Sequence, residues 1–278
     1  MPEGDTIFRS ARGLNAALAG GRVIGFETVY AQLAAIHDNA SLVGRIVERV
    51  EARGKWLLMF FSGDLILVTH MLMNGTWHLY RPGERWRRPR SQMRIMVSTN
   101  EWQAVAFIVP VAQFHTARSL ARHTAIPNLG PDVLGAEFAT DEAATRLRAH
   151  GAEEVANALL NQQVIAGVGN VFKSEICFAC GVNPFRLVSS LTQQEIVCLL
   201  DTARKYLLAN VTPGHDNSIA TYSGGRRTTG ESDPSARLWV YGRRGRPCRR
   251  CGTLIISRKQ GNGARSTYWC PECQAMTS

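Results

Sequence analysis

Two Cys-x-x-Cys pairs, Cys248-Arg-Arg-Cys251 and Cys270-Pro-Glu-Cys273, stand 18 residues apart within the last 31 residues of a 278-residue chain. This spacing constrains the fold more than any other feature. Each pair can set two thiolates on one side of a tight knuckle, and two facing knuckles form the tetrahedral sulfur shell that Zn2+ accepts. Four protein ligands leave no position open for water, so one structural Zn2+ is expected, building structure and doing no chemistry. Between the pairs, Arg258, Lys259 and Arg265 surround Gly261-Asn262-Gly263, which predicts a basic hairpin with a flexible tip. A metal-stapled basic hairpin points to a nucleic-acid contact. The alternative is a secreted tail closed by two disulfides. Against it, the start Met1-Pro2-Glu3-Gly4-Asp5 is acidic where an export signal needs basic residues and an apolar run. No stretch reaches the roughly 18 apolar residues that a bilayer requires, so a cytoplasmic protein without membrane association is expected. The other cysteines, Cys177, Cys180 and Cys198, read as reduced core thiols.

Charge agrees with a polyanionic partner. The chain has 32 Lys plus Arg against 22 Asp plus Glu, a formal net charge of +10, which favours phosphate neutralisation and counterion release. The excess is uneven, with Arg81, Arg85, Arg87, Arg88 and Arg90 in one turn-rich stretch and most of the rest between Arg226 and Arg265. Runs of this kind also occur as plain solvated surface.

The hydrophobic period changes along the chain. Residues from Asp5 to about Ala19 predict a helix with Asp5 as N-cap and Ile7, Phe8, Ala11, Leu14 and Leu18 as its apolar face, ended by Gly20-Gly21. From Arg22 to about Phe107, short apolar runs broken by Gly or Asn predict strands of a sandwich or barrel. Asn128 to Asp132 reads as a linker, after which helices are expected over 141–149, 153–161, 170–180 and 192–210. Ser223 to Ser235 reads as a mobile loop. The expected architecture is α+β: an N-terminal β-sandwich with a leading helix over 1–128, a central helical domain over 129–235, and a zinc-finger hairpin over 236–278.

Ala166-Gly167-Val168-Gly169-Asn170 lies between two helical patterns and opens the second. Paired glycines allow a sharp turn, and the free N–H groups of the following helix start form an anion site suited to phosphate, with Asn170 as N-cap or direct donor. An ordinary helix–helix turn would carry the same residues.

Taken together, the Met-Pro-Glu start, the Gly54-Lys55 pair before an apolar strand, the Gly-Val-Gly-Asn loop and the cysteine finger ending Arg265-Ser-Thr-Tyr-Trp-Cys-Pro-Glu-Cys-Gln274 resemble the formamidopyrimidine-DNA glycosylase and endonuclease VIII family, in that family's order. The Pro-Glu-Gly-Asp start is more similar to the bacterial endonuclease VIII side. The resemblance implies a helix-two-turns-helix central domain and a monomeric DNA-repair enzyme acting on damaged DNA without an organic cofactor. It would be a bifunctional glycosylase and abasic-site lyase removing oxidised bases, pyrimidines favoured, and cutting the strand by β/δ-elimination. Removal of Met1 would free the amine of Pro2 as nucleophile, with Glu3 as proton shuttle and Lys55 holding a phosphate beside the lesion. His70, Asn170 and Arg265 would contact the DNA backbone. Glu175 would sit near the lesion or organise the site, and Leu72 and Met73 are the candidates to fill the gap left by the extruded nucleotide. Cys248, Cys251, Cys270 and Cys273 would hold the zinc. Two departures stand out: Asp5-Thr6 replaces the frequent Pro-Glu, and no Arg-Arg-Phe wedge occurs in Val109 to Arg118.

Overall fold

The computed structural model describes residues 2–211, 226–229, 233 and 236–276. They form two compact units divided between Asn128 and Leu129.

In the first unit, α1 (Gly4–Leu18) begins on Glu3, not on Asp5. The Glu3 carbonyl accepts the Thr6 and Ile7 N–H groups at 3.0 and 3.1 Å. Asp5 lies inside the first turn, where its carboxylate meets Arg9 at 3.5 Å and the Thr6 hydroxyl at 3.3 Å. A carboxylate engaged with its own helix in this way is not placed to cap the turn before it. The buried stripe of Ile7, Ala11, Leu14 and Leu18 turns α1 onto the sandwich.

Next come β1 (Gly25–Thr28), α2 (Ala31–Asn39), β2 (Val47–Arg53), β3 (Trp56–Phe61), β4 (Leu65–His70), β5 (Thr76–Tyr80), β6 (Met93–Ser98), β7 (Gln103–Phe107), β8 (Val111–His115) and the short α3 (Ala117–Leu120). Two antiparallel four-stranded sheets result, ordered β1-β6-β7-β5 and β2-β3-β4-β8. Leu57, Met59, Phe61 and Leu67 of one sheet join Trp77, Ile95, Val97 and Ala104 of the other in a shared core with α1. Trp77 is fully buried, and its indole N–H donates across the sandwich to Thr69 Oγ1 at 3.2 Å. The outward side chains of β3 and β4 are covered as well: Leu58, Phe60, Ile66 and Val68 pack with Leu120 and Ile126. Burial on both faces explains why these strands read as unbroken apolar runs instead of alternating. The α2 helix interrupts the predicted all-strand stretch. Leu33 is its one buried residue, so it leaves little apolar periodicity to read. In the arginine-rich crossover from β5 to β6, Trp86 packs on Tyr80 and Phe107 and so plugs the outer face of the first sheet.

The second unit contains α4 (Thr140–Ala149), α5 (Val155–Ala158), α6 (Asn170–Ala179), α7 (Gln193–Val211) and the hairpin of β9 (Ile256–Gln260) and β10 (Arg265–Trp269). Residues Asn170 to Phe178 are all buried, so α6 is the central rod of this unit. The expected linker is packed into it: Gly130 N–H donates to Gln162 O at 2.8 Å, and a Cβ on Gly130 would meet Val164 O at 2.5 Å. The cysteine hairpin, expected as a domain of its own over 236–278, shares the unit with the helices. Phe178 of α6 packs with Val240, Cys248, Ile255 and Cys270. The amide groups of Asn183 and Gln274 each donate across that junction, to Gln274 O at 2.7 Å and Val182 O at 2.8 Å.

Cys177 is a free, buried thiol, pushed up to about 12 chiefly by desolvation. Cys180 and Cys198 correct the reading of three reduced thiols, because they form a disulfide between the end of α6 and the first third of α7. Their Cα atoms lie 5.9 Å apart, within bridging range. A periodicity argument along one helix cannot see a partner 18 residues away on another. Most of the 223–235 loop lies outside the described residues. Among those described, no helix is long and apolar enough to cross a membrane.

Candidate active site and nucleic-acid interface

In the first unit the candidate catalytic residues sit at places fixed by backbone geometry. Pro2 is partly exposed, and Glu3, immediately before α1, is fully buried. Lys55 occupies the tip of the two-residue turn between β2 and β3, where Arg53 pairs with Trp56. Gly54 takes φ +58° in that turn, the left-handed region that glycine enters without strain. The lysine is thereby presented at the edge of an otherwise apolar strand.

His70 closes β4 opposite Trp56. Burial pushes its ring down to about 4, and the charge of Lys55 adds to the effect. The imidazole is therefore neutral at physiological pH, and its proximity to Lys55 is felt electrostatically. Its Nδ1 accepts the Leu72 N–H at 3.0 Å. Trp56 stands edge-on to His70 at 4.8 Å between ring centroids and to His123 at 5.0 Å. Just beyond, Leu72 and Met73 are 47% and 54% exposed, adjacent large apolar side chains on a loop tip. Thus Lys55, His70 and the Leu72–Met73 pair gather at one end of the β3–β4 hairpin.

In the second unit a polar network does the placing. Gly169 is the N-cap of α6, so Asn170 is the first helical residue and does not take the N-cap role, one of the two expected from sequence. Its Nδ2 donates to Ser266 O at 3.1 Å, tying the helix start to β10 beside Arg265, while its Oδ1 has no hydrogen-bond partner among the described residues. Ahead of it, the Gln162 amide braces the glycine turn, donating to Leu160 O and Val168 O and accepting from Gly167 N–H. Arg265 opens β10 across from Gln260 and lines a cleft of about 620 Å³ with Glu154, Asn157 and Asn161. Gln260 is itself clamped by Glu154 at 2.7 Å, Pro184 O at 3.0 Å and the Thr267 hydroxyl at 2.6 Å.

Glu175 is fully buried. Its carboxylate accepts the N–H groups of Trp239, Val240 and Tyr241 at 2.8 to 2.9 Å and the Thr228 hydroxyl. A carboxylate with its oxygens so engaged organises the chain that leads into the cysteine knuckles. It is not available as a surface contact for DNA.

The four cysteine sulfurs lie within 4.8 Å of one another, with Cys251–Cys270 at 3.4 Å and Cys248–Cys273 at 3.9 Å. A tetrahedral shell with Zn–S bonds of about 2.3 Å places sulfurs roughly 3.8 Å apart, so the set fits one structural Zn2+. The N–H groups of Arg250 and Cys273 point at Cys248 and Cys270 sulfurs, as thiolates in knuckles require. Neither pair is closed as a disulfide. Sequence reading did not single out Gln162, Gln260 or Trp56. Gln162 and Gln260 stand among polar neighbours and Trp56 opens an apolar run, so none of the three carries a local sign of its role.

Residues 1–110 match the formamidopyrimidine-DNA glycosylase N-terminal domain, 129–221 that enzyme's H2TH domain, and 245–275 the zinc finger found in FPG and IleRS. A probable endonuclease 8 2 of Streptomyces coelicolor is 40% identical over 99% of this chain and 94% of its own length. The Mycolicibacterium smegmatis DNA-(apurinic or apyrimidinic site) lyase Nei2 is 36% identical over the full length of both chains. Among solved structures, Lactococcus lactis Fpg in complex with abasic-site DNA superposes with a TM-score of 0.82 over 99% of this chain and 100% of its own, at 21% identity, a likeness of fold. With three domains matched in order and relatives similar from end to end, the chain belongs to the formamidopyrimidine-DNA glycosylase and endonuclease 8 family.

Proposed function

We propose that this protein is a bifunctional DNA glycosylase and abasic-site lyase that excises oxidised bases, pyrimidines favoured, through an iminium formed on Pro2. The observation that carries the reading is the juxtaposition at the start of α1: a partly exposed Pro2 followed directly by the fully buried carboxyl of Glu3. After Met1 is removed, Pro2 has a secondary α-amine, and amines of this class titrate near 7.7 to 8.0, so a useful fraction carries a free lone pair. That lone pair attacks C1′ of the damaged nucleotide. The C1′–N bond to the base breaks, the base leaves with a proton, and opening of the sugar ring gives a C1′ iminium with O4′ protonated. Glu3 moves the proton to O4′. The iminium acidifies C2′–H, whose loss expels the 3′ phosphate, and a second elimination expels the 5′ phosphate. Water then hydrolyses the iminium and frees Pro2.

The remaining residues hold the backbone while this happens. Lys55 and His70 grip a phosphate at the lesion, and the start of α6 with Arg265 grips the flanking phosphates, where a planar guanidinium matches phosphate in two contacts. Leu72 and Met73 fill the gap in the duplex. The zinc supplies rigidity to the hairpin that carries Arg265.

Borohydride reduction during reaction with abasic DNA tests the nucleophile. A covalent adduct should form, and peptide mapping by mass spectrometry should place it on the nitrogen of Pro2. An adduct on Lys55, or no adduct at all, would overturn the assignment.

A further inference from the structure

We infer that His70 is a two-ended positioning residue, whose Nδ1 fixes the backbone that projects Leu72 into the duplex while its Nε2–H engages the lesion-strand phosphate. The inference rests on the DNA-repair reading above and adds a physical link between phosphate grip and gap filling.

The link begins in the loop between β4 and β5. Met71 is 1% exposed and anchors the loop in the core. Gly75 N–H closes the turn on Met71 O at 2.9 Å, and a Cβ at Gly75 would stand 2.6 Å from that oxygen, so the turn cannot open around a larger residue. Leu72 lies at φ +45°, a left-handed conformation that is strained for a bulky side chain. Such a conformation persists only where its surroundings impose it. The imposed contact is the hydrogen bond from Leu72 N–H to His70 Nδ1 at 3.0 Å. It turns the leucine outward, 47% exposed, beside a Met71 that points inward.

This bond also decides the chemistry of the other end of the ring. An imidazole that accepts at Nδ1 and is neutral must carry its hydrogen on Nε2. Burial and Lys55 keep it neutral. Among the described residues Nε2 has no hydrogen-bond partner, and it is not among the sealed, unsatisfied atoms of the interior. Trp56 holds the ring edge-on, and His123 also packs edge-on against Trp56 while its own Nδ1 accepts two backbone N–H groups, of Ala125 and Ile126. The ring is thus locked with one nitrogen committed to the Leu72 backbone and the other carrying a donor without a partner among the described residues, within electrostatic reach of Lys55. A phosphate held by Lys55 and the Nε2–H holds the ring, and through Nδ1 it holds Leu72. Gripping the backbone and presenting the wedge become one event.

The two ends can be separated with the zinc-loaded, full-length protein. In His70→Asn the side-chain oxygen stands in for Nδ1 and the phosphate donor is lost. In His70→Gln a donor reaches the Nε2 position and the acceptor for Leu72 is lost. The probe is a duplex with a non-cleavable abasic analogue opposite 2-aminopurine. Its fluorescence change at saturating protein reports gap filling, and the Kd reports the grip. His70→Asn should keep the native fluorescence amplitude while weakening Kd about tenfold, the scale of one hydrogen bond to a charged group. His70→Gln should lose most of the amplitude, as Leu72→Ala should, with a smaller change in Kd. The reverse pattern, or equal loss of amplitude in both variants, overturns the inference while leaving the repair function intact. If the native protein neither prefers the abasic duplex to an undamaged one nor changes the fluorescence, the functional reading falls and this inference with it. Independently of any variant, 15N spectra of the free native protein at neutral pH should show the Nε2–H tautomer at His70, and an Nδ1–H tautomer would overturn the link.

Discussion

The two units solve the same problem, holding reactive side chains still, by different physical means. In the first unit the candidate residues stand on turns whose geometry is set by glycine and by apolar packing. Lys55 sits on the Gly54 turn, and Leu72 lies between the buried Met71 and Gly75. In the second unit the corresponding residues are held by buried polar groups and sulfur ligands: Gln162 under the glycine loop, Glu175 under the knuckles, and Gln260 under Arg265. The contrast teaches that removing a polar atom near the first site should release the one segment it held, as at His70, whereas in the second it should leave several buried partners unsatisfied at once. A buried network left half-satisfied is worse than none.

The sharpest test of that contrast is Cys251→Ser with zinc removed. Loss of one ligand should loosen the hairpin and lower DNA affinity and turnover together by tenfold or more, with chelation of the native protein giving the same result. Full activity in a zinc-free Cys251→Ser protein would break the link between metal and Arg265. Next in size, Glu175→Gln puts an amide N–H against backbone N–H donors and should cost about 3 kcal/mol in denaturant unfolding. A loss under roughly 0.5 kcal/mol would mean that the network is not what holds the segment before the knuckles.

In the first unit, His70 has its folded-state value depressed to about 4, against an ordinary value of 6.5. The unfolded chain binds the proton more readily, so this group costs nothing above about pH 6.5 and destabilises the fold progressively as pH falls toward 4. After allowance for the ring's partial exposure, stability measured by urea titration at pH 4.5 and 7.5 should differ between native protein and His70→Asn by about 2 kcal/mol. An identical pH dependence would show the ring to be solvated. The smallest effect is expected for Gln162→Ala, about 1–2 kcal/mol, and it should weaken DNA binding without changing the borohydride-trapped fraction at saturation. A drop in that fraction would mean that the glycine loop also affects the first site.

What could be read in advance was local. The cysteine spacing, the Gly-Val-Gly-Asn turn and the leading apolar stripe each rest on residues a few positions apart, and spacing alone carries them. The β3 and β4 runs were readable as strands, although not that Leu120 and Ile126 cover their outer face. The disulfide of Cys180 with Cys198, the donation of Asn170 to Ser266 O and the Glu154–Gln260 clamp were not readable. Each joins residues 18 to 106 positions apart whose identities are unremarkable in their own neighbourhoods.

The amino-acid sequence alone specified a four-thiolate ligand set, because metal affinity belongs to residue type and close spacing, and through its family resemblance it nominated the Pro2–Glu3 start and the arginine of the finger. Only the tertiary structure decided what each is free to do. Burial and hydrogen bonding spend some polar groups on architecture, as with Glu175, and leave others poised, as with the Nε2–H of His70. That division depends on which distant groups the fold brings within about 3 Å of a polar atom.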